Sequence, residues 1–391
     1  MKPKNTVTLF IVCLLFISCS NEVEMKTVVN ADGSCYREFT SKNVSKEFFI
    51  ADNTSKGNPF PVEIDSTWNI LWKYGDAKWQ NDFPPSENTI DSILEQQKNT
   101  NDSCAAKKDF PFFSVQIKKH FPSVSAMKNA CKIKDSHPWK NIKTDYSLSK
   151  KFRWFYTYYI YQEKYEKAGI QFDYPIDDFL TEEEYLFWFT GFPNPTKGMS
   201  GMEVREYLGE IENKYEKWIA KNKWSWEYDF LLSNYEKISN LSVTKTELKN
   251  SKDSIFKQRV KNNIDFDMPQ IMDSHFQTSA FSRFWNEENS PMKNYENDPD
   301  GTTLYATTIS LFSENFNYKL ILPGKIIKSN CRKSNDNEMV WELSAYRFLV
   351  TDYTIEAESR KTNAWAFAVS GIIILLALGS SVFLHKKKLL T

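Results

Sequence analysis

Between Ala364 and Leu384 no side chain carries a charge, and the centre of the run reads Ile372-Ile373-Ile374-Leu375-Leu376. As a helix rising about 1.5 Å per residue, this run covers the roughly 30 Å hydrocarbon core of a bilayer. Trp365 falls at one expected interface, and His385-Lys386-Lys387-Lys388 follows the other. An apolar run of this length, closed by lysines, argues against a buried core helix. The reading is one transmembrane helix over 364–384 with a basic tail over 385–391. Because positive loops stay inside, the tail is cytoplasmic and everything before Arg360 lies on the outer face.

The other end of the chain reads as an export signal. Met1-Lys2-Pro3-Lys4 precedes an apolar run from Val7 to Ile17, too short to span a bilayer and of the length found in secretory signals. It closes on Phe16-Ile17-Ser18-Cys19 and turns abruptly polar at Ser20-Asn21-Glu22. That pattern looks like a bacterial lipobox, with Phe16 where leucine is usual. It predicts a lipoprotein signal peptide over 1–18 and a lipid on Cys19. The chain is therefore expected at a bacterial cell membrane, held by a lipid and a helix, with its bulk on the periplasmic side. Ser20, under the sorting convention of enterobacteria, would send the lipid end to the outer membrane and make the body a bridge. Both anchors in the inner membrane is the simpler arrangement.

Lys plus Arg and Asp plus Glu number 50 each, so no basic surplus points to a nucleic-acid partner. The 29 Phe, 19 Tyr and 12 Trp supply a core, and would equally suit a glycan or protein partner. Of the six cysteines, Cys13 belongs to the signal and Cys19 to the lipid site. Cys35, Cys104, Cys131 and Cys331 remain, and an oxidising compartment makes two disulfides the expectation, in any of three pairings.

The exported part, 19–360, reads as α+β: β-rich over 24–160, helical over 175–290 and β-rich again over 301–360. Asp32-Gly33 between two β-prone runs marks a hairpin. Glu47–Ile50, Val62–Ile64 and Thr67–Trp72 add short strands. Lys151–Tyr161, aromatic or apolar on both alternating faces, reads as one central strand covered on both sides. Thr181 and Glu184 form a capping box. Val204, Leu208, Ile211, Tyr215 and Trp218 make an apolar helical stripe after Ser200-Gly201. Thr303–Phe312, Tyr318–Leu322, Met339–Leu343 and Tyr353–Ala357 read as strands, with turns at Pro323-Gly324 and Ser329–Asn337.

The hairpin just after the lipid cysteine, Phe316 to Gly324, Asn330, Val340-Trp341 and the terminal helix with its lysines occur in an order similar to the LppM-type envelope lipoprotein domain. The likeness covers about Lys26–Phe39 and Phe316–Arg360. It implies that the first and last strands share a mainly antiparallel sheet, with the helices as an insertion. Paired terminal strands would also bring the two anchors close together.

Catalytic signatures are absent from the sequence. His120, His137, His275 and His385 show neither HExxH nor metal-ligand spacing, and no Cys/His cluster suits zinc. Thr196–Gly201 lacks the order of a phosphate-binding loop, and no GxSxG elbow occurs. Asn297–Asp300 before Gly301 reads as a turn, not a calcium loop. No cofactor is expected. The favoured reading is a binding or envelope-organising module whose partners are the bilayer and an envelope protein or glycan. The rival is an envelope enzyme with a carboxylate pair, among Asp173, Asp177-Asp178, Glu182–Glu184, Asp265 and Asp267, in a cleft with Trp188, Trp224 or Trp226.

Overall fold

Period-two alternation of inward side chains with half-exposed, largely polar ones builds the first sheet. In the computed structural model, which describes residues 23–42, 44, 48–49, 58–100, 113–287, 315–335 and 337–389, Val23, Met25, Thr27 and Val29 of β1 (Val23–Val29) are buried. So are Cys35, Arg37, Phe39 and Ser41 of β2 (Cys35–Ser41). Asp32-Gly33 turns the chain between them, with Gly33 at φ 102° and the Asp32 carboxylate accepting from Ser34 N at 3.0 Å. The two strands pair antiparallel, as the sequence predicts.

Along the chain follow β3 (Asn69–Tyr74), α1 (Glu87–Thr100), β4 (Phe113–Phe121), α2 (Met127–Ala130), β5 (Thr144–Phe152) and β6 (Tyr156–Tyr165). Helices α3 (Glu182–Thr190), α4 (Gly201–Ser233), α5 (Lys245–Ile255), α6 (Met268–Phe276) and α7 (Ala280–Asn286) come next. The chain then makes β7 (Asn315–Ile321), β8 (Lys325–Ser329), β9 (Lys333–Asn335), β10 (Glu338–Ser344), β11 (Tyr353–Thr362) and α8 (Ala364–Leu389). One sheet has the order β3-β4-β2-β1-β7-β10-β9, the other β5-β6-β11-β8. Pairing is mostly antiparallel; β1 and β7 run parallel. The result is mixed α and β, in two compact units. One comprises 1–165, 315–343 and 354–391; the other comprises 166–314 and 344–353.

The helical unit is organised by capping chemistry and aromatic packing. Thr181 and Glu184 form the expected capping box, and Ser200–Glu203 and Thr244–Glu247 repeat it. Each covers backbone donors that a helix N-terminus leaves unpaired. Ile211 and Trp218 of the α4 stripe are buried against Ile176, Leu180 and Phe189. Farther along, Trp224, Tyr228 and Leu231 pack with Leu248, Phe256 and Phe281.

Several expectations are corrected. Phe48 and Phe49 are helical, not extended, and both are buried among Phe60, Phe83 and Phe113. Adjacent buried side chains do not suit a strand with one inner face. Val62 makes only an isolated bridge to Ile133. Lys151–Tyr161 is not one strand: it is the tip of the β5–β6 hairpin, with the turn at Arg153-Trp154-Phe155. The segment read as a turn over Ser329–Asn337 contains β9, and β8 precedes it as a lysine-bearing edge strand. The first strand does not share a sheet with the last: β1 pairs with β2 and β7, whereas β11 lies in the other sheet. Thr303–Phe312, Asn297–Gly301, Cys104 and the whole segment 1–22 with Cys19 lie outside the described residues.

Strand polarity also separates the two ends. Ala31, just past β1, receives hydrogen bonds from Tyr159 Oη (2.9 Å) and Lys150 Nζ (2.8 Å), near the β5–β6 tip. Val23 instead registers with Phe316, whose ring lies 4.9 Å from Trp139, itself 6.4 Å from Tyr165 at the far end of β6. The chain therefore enters β1 at one end of this unit and leaves through α8 at the other.

Candidate functional site

Period-two alternation puts Tyr159, Tyr161, Glu163 and Tyr165 on the buried face of β6, opposite Arg37 of β2. A charge on the inner face of each sheet forces the pair together. Arg37 Nη2 donates to Glu163 Oε2 at 2.7 Å, with side-chain exposures of 2% and 0%. Arg37 also donates to Thr27 Oγ1 and to Tyr146 Oη at 3.2 Å. Glu163 accepts from Tyr161 Oη at 2.7 Å and Tyr165 Oη at 2.5 Å, and Tyr161 bonds Tyr318 Oη at 3.1 Å. Burial alone would depress the guanidinium pKa, but the Glu163 carboxylate and the tyrosines hold it well above its ordinary value. Burial, reinforced by Glu163, raises the phenols of Tyr161, Tyr165 and Tyr318 far above the usual range. The three phenols remain neutral donors at any physiological pH, and with the ion pair they form a fixed polar rivet between the sheets.

A cavity of about 30 Å³ adjoins it, lined by Met25, Arg37, Phe39, Cys131, Trp139 and Tyr146 among others. That space suits a water or two and falls far short of the roughly 300–1,000 Å³ of a small-molecule pocket. Nearby, His137 Nδ1 accepts from Trp139 N at 3.1 Å, and burial followed by Lys134 pushes its pKa down to about 4. Cys35, Cys131 and Cys331 are free thiols, so no disulfide joins any two of these three. Cys35 and Cys131 are buried, and burial pushes each up to about 11. Cys331 Sγ instead lies 2.9 Å from Ser329 Oγ.

The second constellation sits where α8 begins. Asn363 Nδ2 donates to the carbonyls of Arg153 (2.9 Å) and Trp154 (3.1 Å), and its backbone N–H donates to Phe155 O (2.9 Å). Thr157 Oγ1 donates to Asn363 Oδ1 at 2.9 Å. One asparagine thus closes the β5–β6 turn and fixes it to the helix start. Trp154 Nε1 reaches Ser370 Oγ at 2.9 Å, well into the second turn of α8. Trp365 packs on Trp154 at 5.2 Å and lies parallel to Phe152; Phe367 packs on Phe155 at 4.6 Å. These rings remain substantially exposed, and beyond them Ile372 to Leu376 are largely uncovered. Helix α8 is long and apolar enough to cross a membrane, and among the described residues almost nothing covers its stretch Ala364–Ser381.

The other sequence candidates disperse. Trp224 is buried and donates to Lys252 O, Trp188 packs on Tyr215, and Trp226 stacks on Phe172. All three pack within the helical unit. Glu184 caps α3 and pairs with Lys214 at 2.5 Å. His120 packs on Tyr36, and His275 on Phe276. Among the described residues no group of three or more His, Cys, Asp or Glu is placed to hold a metal ion. The Arg37–Glu163 pair was missed in the sequence, although a charge in alternation with Tyr159, Tyr161 and Tyr165 is its signature.

The chain matches no family model, no curated protein and no solved structure.

Proposed function

We propose that the chain is a membrane-anchored bacterial envelope lipoprotein, whose exported body acts as a binding or organising module and not as an enzyme. The observation that carries this reading is α8: an apolar helix left uncovered, yet clasped to the body by Asn363 and Trp154. A flexible tether would let the sheet unit wander, whereas this clasp holds that unit in a set orientation to whatever the helix crosses. The Arg37–Glu163 centre, closed off between the sheets, is built as a structural pair. The lipid on Cys19, the periplasmic side and the LppM-type resemblance belong to the same proposal.

The two anchors would leave opposite ends of the sheet unit. Cys19 to Val23 reaches at most about 14 Å, against roughly 30 Å along β6. With both anchors in one bilayer, the body must lean over its surface. Fractionating separated N- and C-terminal fragments after limited proteolysis tests this reading. Both fragments in the inner membrane, resisting alkaline extraction, are expected; release of the C-terminal fragment by alkali would end the reading.

A further inference from the structure

Resting on that membrane reading, we propose that the β5–β6 tip is a second contact with the bilayer, seated in the headgroup region of the outer face and selecting anionic phospholipids. The tip is built against ordinary surface logic. Phe152, Trp154 and Phe155 are 59%, 45% and 38% exposed at the end of a hairpin, where polar turn residues are the rule. They are the same side chains that touch the first turns of α8 through Trp365, Phe367 and Ser370. The aromatic surface is therefore continuous with the apolar surface of the helix and lies at the same depth. Trp and aromatic residues with one polar edge favour this interfacial layer. Trp154 directs its N–H to Ser370 while its ring remains open, so the indole enters with its donor already satisfied.

Charge supplies the selectivity. Lys150, Lys151, Arg153, Lys325, Arg360 and Lys361 are all exposed around this end. Arg360 lies over the Tyr156 ring at 4.8 Å, and Lys325 is in register with Arg360 across β8 and β11. Among the described residues the local carboxylates are fewer: Asp32, beside Lys150, and Glu358, in register with Lys328. Long basic side chains ringing an apolar plug lay their stems along it and hold their heads at phosphate level. Lys386–Lys388 lie in the last turns of α8, at its other end, so this collar is a separate basic layer on the side of the body.

The test uses the full chain in vesicles of phosphatidylcholine with and without phosphatidylglycerol. With Cys104 and Cys331 replaced by serine, a nitroxide at position 155 (Phe155→Cys) is compared with one at 79 (Trp79→Cys) for collision with lipid-soluble oxygen and with a water-soluble nickel chelate. The expected result is that 155 meets oxygen and is shielded from nickel, while 79 behaves oppositely. Spin-labelled phosphatidylglycerol should be enriched around the protein by roughly two-fold over phosphatidylcholine, and the K151Q/R153Q/K361Q variant should lose that enrichment. Nickel access at 155 equal to that at 79 would overturn the inference, as would shielding from both relaxers, the mark of a protein partner. Enrichment unchanged in the triple variant would overturn the selectivity. Alkaline washing of the same vesicles separates the two ideas: a chain that washes off refutes the helical anchor, whereas a retained chain with a wet position 155 refutes only the hairpin contact.

Discussion

The guanidinium of Arg37 donates to the carboxylate of Glu163 at 2.7 Å, with both side chains almost wholly removed from solvent and enclosed by tyrosines. Removing one member leaves the other charged and unpaired. Glu163→Leu is therefore expected to cost about 3–5 kcal/mol of stability, and Arg37→Met a similar amount. The double variant should recover much of the loss, because it buries no lone charge. Urea titration followed by tryptophan fluorescence checks the cycle; additive losses would show that the pair is not the unit of stabilisation.

His137 makes the sheet unit sensitive to acid. Its imidazole titrates ordinarily at 6.5, and burial with Lys134 moves it to about 4. Between those values the unfolded chain binds a proton that the folded chain refuses. Stability from this group is thus complete above pH 6.5 and is lost as pH falls toward 4, by about 3 kcal/mol in total. The urea midpoint should fall across that window, and His137→Gln should flatten its fall. An equal slope in both proteins would contradict the assignment.

Thiol chemistry follows burial. At pH 8 in the folded chain iodoacetamide should modify Cys331, which is half-exposed, and spare Cys35 and Cys131. After unfolding without reductant, both spared thiols should react. If they react only once reductant is added, they are oxidised in the native protein, and the free-thiol arrangement is wrong.

Gly324 joins β7 to β8 at φ 82°, and a Cβ there would meet Arg360 O at 2.3 Å. Backbone, not a movable side chain, blocks the space. Gly324→Ala is expected to lose at least about 1–3 kcal/mol, since strain adds to the clash. Thermal unfolding of the variant checks this. An unchanged midpoint would mean that the turn adopts another shape.

Local chemistry was legible in the sequence, and distant chemistry was not. Asp32-Gly33 and the Thr181–Glu184 box declare themselves within a few residues, and both are present. Arg153-Trp154-Phe155 carries no glycine, proline or asparagine, so nothing local announces a turn. Its carbonyls are held by Asn363, some 210 positions later. That is why Lys151–Tyr161 read as a single strand, and why its two apolar faces suggested burial: the tip turns its rings onto α8. Lys325–Ser329 was hidden for a different reason, because an edge strand with exposed lysines resembles a loop. For the polar centre the alternation on β6 was visible, but Arg37 is 126 positions away from Glu163, and one strand alone does not name its partner.

The central claim is that α8 crosses a membrane and leaves the body outside. The direct measurement is protease protection in spheroplasts of cells expressing the full chain with an epitope after Thr391. The account predicts digestion of the body by added protease, with the epitope surviving on a short fragment that resists alkaline extraction until the membrane is lysed. Loss of the epitope from intact spheroplasts, or release of the whole chain by alkali, would contradict it.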